Sequence, residues 1–271
     1  MNLKFTKMQG TGNDYIFVNL LEANAFQMTN AVNWSQLAIR LSDRHFGIGS
    51  DGLILICPSD TADCRMRMFN ADGSEGTMCG NGIRCLGKYV YERGFIKKTM
   101  IYVETEAGIK TLFLTIEDKN LVRSVCVDMG VPVILPTVEI NSFLLTPVSI
   151  GNPHAVCFVQ NHPSEYPVEK WGSFLECHAQ LKERRNIEFV QIVTQNQIRL
   201  RIWERGSGET LSCGTGACAA VVCAIRQKGL EHKVFAEVPG GILTVNWKGS
   251  GESVFLSGPA EFVFDAEAAY Y

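Results

Sequence analysis

Two stretches of the chain change their hydrophobic period in the same way. Residues 66–94 read MRMFNADGSEGTMCGNGIRCLGKYVYERG, and residues 200–229 read LRIWERGSGETLSCGTGACAAVVCAIRQKG. Each begins with a short alternation of apolar and polar residues ending on an aromatic, Phe69 or Trp203, as a strand does. A polar residue follows at once, Asn70 or Glu204, and nine positions later comes a cysteine, Cys79 or Cys213, opening C-G-x-G. A glutamate, Glu75 or Glu209, stands four positions before each cysteine. The period then becomes helical. Ile83, Leu86 and Val90 share one face, and Ala217, Ala220, Val221, Ala224 and Ile225 follow the same spacing. Gly94 and Gly229 stand where a C-terminal glycine cap belongs. Each cysteine is therefore predicted at a strand–loop–helix junction, at a helix N-terminus.

The repeat extends upstream. Gly12-Asn13 precedes the strand-like Tyr15-Ile16-Phe17-Val18, and Gly151-Asn152 precedes the strand-like run from His154 to Val159. Runs 99–106, 109–117 and 121–128 close the first half as strands, and runs 232–238, 241–247 and 252–258 close the second. Further helices are expected at 34–42 and 169–179. The pattern gives an α+β fold of two pseudo-symmetric, strand-rich domains, each wrapped around a central helix, with a site in the cleft between them. The expected domains are residues 1–122, with 264–271 returning to the first, and 123–263.

Composition narrows the classes. The 271 residues are 46% hydrophobic and 20% charged, which is ordinary for a globular chain with a sizeable core. A net charge of -3 carries no polyanion-binding signature, so nucleic acid is not an expected partner. No apolar run reaches membrane-spanning length, and Met1 to Lys7 leads straight into a strand pattern rather than a signal peptide. A cytoplasmic protein is expected. The ten cysteines include no C-x-x-C, so neither a zinc site nor a redox couple has support. Eight of them are read as small buried hydrophobes, leaving Cys79 and Cys213.

Two equivalent thiols at helix N-termini suit one reaction type. The helix dipole and its unpaired N–H groups lower a thiol's pKa and bind a carboxylate. Inverting a stereocentre needs a base on one face and an acid on the other, and a thiolate with an opposed thiol supplies both. Taken singly, either cysteine could simply pack in its glycine-rich turn; the duplicated motif argues against that. A disulfide between the two is disfavoured by the expected compartment.

The segments MQGTGNDYIFVN (8–19), DRHFGIGSDGLILI (43–56), FNADGSEGTMCGNGIRC (69–85), GNPHAV (151–156), RNIEFVQ (185–191) and ERGSGETLSCGTGACA (204–219) resemble diaminopimelate epimerases. That family is similar in fold to proline racemases and phenazine-type isomerases, and works without pyridoxal phosphate or metal. The resemblance implies epimerisation of LL-2,6-diaminopimelate to the meso form, no cofactor, and a homodimer. It implies that Cys79 and Cys213 are the acid–base pair, tuned by His154 and Glu204. Gly80, Asn81, Gly214 and Thr215 would cradle the α-carboxylate. Asn13, Asn70, Asn152, Asn186, Glu204 and Arg205 would make the other substrate contacts, with Arg205 gripping the distal carboxylate.

Each of these residues has a plainer reading. Asn13, Asn70 and Asn152 are turn-prone, Asn186 could be a cap, Arg205 a solvated loop charge, and His154 a satisfied loop histidine. Asp14, Asp72 and Glu75 read as loop or capping residues. Many relatives have glutamine after the aspartate of G-I-G-x-D, whereas this chain has Gly52. The ending EAAYY matches nothing familiar in the family. The nearest rival is a histidine or proline-like racemase on the same fold; a thiol redox or metal-binding protein and an inactive binding protein are more distant.

Overall fold

The run Leu53-Ile54-Leu55-Ile56 has no polar face, and the strand that contains it, Gly52–Cys57, is buried at every position. Such a run forms a strand covered on both faces. Leu53, Leu55 and Cys57 pack with Trp34, Leu37, Ala38 and Leu41 of a helix, α1 (Trp34–Ser42). Ile54 points the other way, toward the helix α2 (Gly80–Glu92). This two-sided arrangement recurs in the second half of the chain.

The computed structural model describes residues 2–22, 32–117 and 120–269. It divides into one unit of Met1–Val127 with Gly258–Tyr271, and a second of Asp128–Ser257. The boundary expected at 122/123 falls at 127/128, within the strand Leu121–Gly130. The return to the first unit begins at Gly258 rather than 264, and its strand Glu261–Ala269 pairs antiparallel with Asn2–Gly10. Of the EAAYY ending, Tyr270 and Tyr271 lie outside the described residues.

In the first unit Asn2–Gly10 turns through Thr11 and Gly12 into antiparallel Asn13–Asn19. That strand runs parallel to Gly52–Cys57, which is antiparallel to Cys64–Asn70. Next come parallel Met100–Thr105, then antiparallel Gly108–Glu117 and Leu121–Gly130. The second unit repeats the series. Phe143–Ser149 pairs antiparallel with Pro153–Phe158, which runs parallel to Asn186–Thr194. Antiparallel Gln197–Glu204, parallel Lys233–Val238, and antiparallel Gly241–Asn246 and Val254–Gly258 complete it.

Each parallel step needs a crossover. The first crossovers carry the outer helices, α1 and α3 (Val168–Glu176). The second carry the central helices, α2 and α4 (Gly214–Lys228). Gly80–Val90 of α2 and Gly214–Ala224 of α4 are buried on every side, so the amphipathic face read from α2 understates its burial. Gly94 and Gly229 end these helices with positive φ, as a glycine cap requires. The helix expected at 169–179 stops at Glu176, and a separate 3-10 turn follows at Ala179–Leu181. Two of the eight cysteines expected to be buried are not: Cys126 is half-buried and Cys177 is exposed, while Cys213 itself is buried.

Candidate active site

Cys79 is the N-cap of α2 and Cys213 the N-cap of α4, with φ of -126° and -124°. The extended backbone at each turns the strand-side loop into the helix and aims the thiol at its first amides. Cys79 Sγ accepts from the Gly82 N–H at 3.4 Å, whereas Cys213 makes no side-chain cap hydrogen bond. Gly80 and Gly214 are the first helical residues, so the expected carboxylate cradles are true helix N-termini.

Around Cys79 the first unit assembles polar partners. Tyr15 donates its phenolic O–H to Cys79 Sγ at 3.3 Å, and Cys79 Sγ lies 3.4 Å from Asn13 Oδ1. The Asn81 amide donates to the same Asn13 oxygen at 3.4 Å. Asn13 is fixed from behind by Asp51, which accepts from its Nδ2 at 2.6 Å. Burial, with the Asp14 charge, raises the Asp51 pKa. The fully buried Arg84 donates to Gly80 O at 3.0 Å, Asn81 Oδ1 at 2.9 Å and Thr11 Oγ1 at 3.0 Å, clamping the first turn of α2. Asn70 lies on the neighbouring strand end, where its amide donates to Ser74 Oγ at 2.9 Å.

The second unit surrounds Cys213 differently. Cys213 Sγ lies 3.4 Å from Thr215 Oγ1. His154 is fully buried; its Nδ1 is 2.6 Å from Glu188 Oε1 and its Nε2 is 3.0 Å from Asn152 Oδ1. Asn186 Oδ1 accepts from the Arg205 N–H at 2.9 Å, while the Arg205 side chain is exposed. Glu204 Oε1 accepts from Thr210 Oγ1 at 2.5 Å. The helix N-terminus was expected to lower both thiol pKa values. At Cys213 burial overrides it, and the Glu204 and Glu188 charges push the same way, so this thiol titrates well above the ordinary range. Burial likewise pushes Cys57 and Cys157 up to about 11 and Cys64 and Cys85 up to about 12, consistent with inert packing.

Of the residues read as loop or capping groups, Asp72 accepts from Ser74 as expected. Glu75 instead pairs with Arg67 through two hydrogen bonds, a pairing that Glu209 and Arg201 repeat. Asp14 sits in a strand and binds Lys7 at 2.7 Å and Arg44 at 2.8 Å. Gly52 is a position without room: a Cβ there would come within 2.2 Å of Phe69 O. Tyr15, Asp51, Arg84 and Glu188 were not singled out from sequence. The signal for Glu188 was a charged residue inside the otherwise apolar run Ile187 to Val190.

Strand pairing shows which positions correspond. Tyr15 lies opposite Gly52 as His154 lies opposite Asn186, and Phe17 opposite Ile54 as Val156 opposite Glu188. Two sheets of the same strand series, each carrying a buried central helix, define a fold class with known structures. A phenazine biosynthesis protein of the PhzF family from Bacillus anthracis superposes with a TM-score of 0.78 at 17% identity, each chain covered in full. A hydroxyproline epimerase from Agrobacterium vitis gives 0.75 at 13%, covering 98% of this chain and 91% of that one. These likenesses establish the fold. The sequence profile of the family described as diaminopimelate epimerase matches residues 5–135 and 146–263. The diaminopimelate epimerase of Acetivibrio thermocellus is 46% identical, over 98% of both chains. That of Methanococcus maripaludis is 44% identical, over 98% of this chain and 99% of its own. The chain belongs to the diaminopimelate epimerase family.

Proposed function

We propose that this chain converts LL-2,6-diaminopimelate to the meso form by moving one α-proton between two thiols, without a cofactor. The observation that carries the reading is the matched pair of N-capping cysteines, Cys79 and Cys213, in a chain of this family. Removal of the α-proton leaves a planar carbanion whose charge spreads into the α-carboxylate. The N–H groups at Gly80-Asn81 and Gly214-Thr215 are the donors suited to that oxyanion. Cys213, held as the thiol by burial and by the Glu204 charge, is the proton donor in the LL-to-meso direction. Cys79 receives the donors that a thiolate needs, the Tyr15 O–H and the Gly82 N–H, and is the base. In the reverse direction the roles exchange.

Asn13, Asn70, Asn152, Asn186, Glu204 and Arg205 are the proposed contacts to the rest of the substrate. The exposed guanidinium of Arg205 suits the distal carboxylate. We further place the enzyme in the cytoplasm as a homodimer, acting on a small molecule rather than on nucleic acid or membrane. No helix among the described residues is long and apolar enough to cross a membrane.

The test is isotope exchange in heavy water. The wild-type chain should wash deuterium into the α-carbon of LL-diaminopimelate and form the meso isomer. Cys79→Ala and Cys213→Ala should each abolish inversion, and the serine variants should keep only weak activity. Exchange into histidine or proline but not diaminopimelate would overturn the substrate, and full activity in either alanine variant would overturn the mechanism.

A further inference from the structure

The two units fill one equivalent position with opposite chemistry. Beneath the first turn of each central helix lies a glycine, Gly82 or Gly216, whose missing Cβ leaves room for a side chain from the neighbouring strand. In the first unit that side chain is Ile54, whose Cδ1 would lie 2.5 Å from a Gly82 Cβ. In the second it is Glu188, whose Oε1 would lie 2.9 Å from a Gly216 Cβ. Packing is therefore served by an isoleucine, yet the second unit keeps a carboxylate there, buried completely. Among the described residues its Oε2 has no hydrogen-bond partner, an expensive state for a buried polar atom. The partner position has changed with it: Tyr15 in the first unit corresponds to His154 in the second.

We propose that Glu188 is a positioning residue that acts through His154 to hold the Asn152 amide with its oxygen inward and its NH2 group toward substrate. The inference rests on the reading of Asn152 as a substrate contact. Asn152 follows Gly151, whose φ is +87°, in an exposed turn. Among the described residues its side chain bonds to the His154 ring alone. That bond runs from Nε2–H to Oδ1, so it requires a hydrogen on Nε2. A fully buried carboxylate and imidazole cost least when their net charge is zero. Zero charge is met by one proton shared between Nδ1 and Glu188 Oε1 while the second ring hydrogen stays on Nε2. Whichever partner holds the shared proton, Nε2 keeps its own and donates it to Asn152. Without the carboxylate, a buried neutral imidazole carries one hydrogen and is free to place it on Nδ1. The ring would then accept from Asn152, turning the amide oxygen outward against a substrate carboxylate.

The experiment uses the full chain with Glu188→Gln, which keeps the volume and removes the obligate acid. Glu188→Gln should raise KM for LL-diaminopimelate about tenfold while kcat stays within about threefold, the size of one lost charged hydrogen bond. In an Asn152→Ala background the same substitution should change KM less than about twofold, because the two act as one unit. A KM unchanged by Glu188→Gln, or effects that multiply in full, would overturn the assignment. A second measurement needs no substrate. Nitrogen NMR of labelled histidine should find His154 hydrogen-bearing at Nε2 from about pH 6 to pH 8 in the wild type, and a population of the Nδ1–H tautomer in the variant. An unchanged Nε2–H ring in the variant would also overturn the role. If the wild type fails to turn over diaminopimelate, the substrate reading falls, and the NMR result alone decides the role of Glu188.

Discussion

The same residue type at the same place in two homologous units has been given two environments. Cys79 is half-buried among a phenol, an amide and a backbone N–H, whereas Cys213 is buried beside carboxylates. The difference should be visible in alkylation, because only the thiolate reacts. Iodoacetamide at neutral pH should label Cys79 and the exposed Cys177 at least about tenfold faster than Cys213, as read by peptide mapping. The sign follows from the raised pKa: Cys213 labelling should keep climbing as pH passes the ordinary thiol range. Equal rates at neutral pH would mean that burial does not govern Cys213. The cysteines were legible in sequence because duplication marked them twice. Glu188 was not, because its meaning comes from the parallel pairing of two strands distant in sequence. Tyr15 was read only as a strand residue, since nothing local shows that its phenol reaches Cys79. His154 was legible only through the family resemblance.

At the scale of elements, the strand runs and α1 were legible because period-2 and period-3.6 patterns survive wherever one face is wet. The central helices are buried on all sides, yet the spacing of Ile83, Leu86 and Val90 and of the Ala217 series still marked them as helical, and C-G-x-G at the start and glycine at the finish marked their ends. The end of α3 falls short of the expected 179 because the helix closes at Cys177 and the chain restarts as a separate 3-10 turn at Ala179–Leu181. This helix owes its close seat to Gly172, where a Cβ would lie 2.5 Å from the Trp203 Cβ. Propensity alone would favour alanine by about 1 kcal/mol. Contact should prevail, because Trp203 is further held by its indole N–H donating to Glu176 at 2.8 Å. Gly172→Ala should destabilise the protein by about 1–3 kcal/mol in urea unfolding. A stabilised variant would show that the helix shifts freely on its sheet.

At the scale of the whole molecule, the two units differ in how the chain builds them. The second is one continuous stretch, while the first is closed by a strand from the far end of the sequence. Glu261–Ala269 covers the edge of Asn2–Gly10, and Ala266 and Ala268 pack on the core around Leu3 and Phe5. Asp265 binds Arg93 through both carboxylate oxygens, at 2.9 and 2.7 Å, and accepts from Thr6 at 2.6 Å. Deleting residues from Glu261 onward should strip amide-exchange protection from the first unit and leave it largely intact in Asp128–Ser257. Protection kept in both would show that the strand is dispensable.

That closure also sets an order of events on the ribosome. Everything the second unit needs has been synthesised by Ser257, whereas Asn2–Gly10, made first, must wait for residues made after it. Through most of translation the N-terminal strand therefore presents an unpaired edge, the kind of surface that captures other chains. The later-made unit is the one free to fold early, and the nascent N-terminal unit is the stage at which a chaperone would matter most.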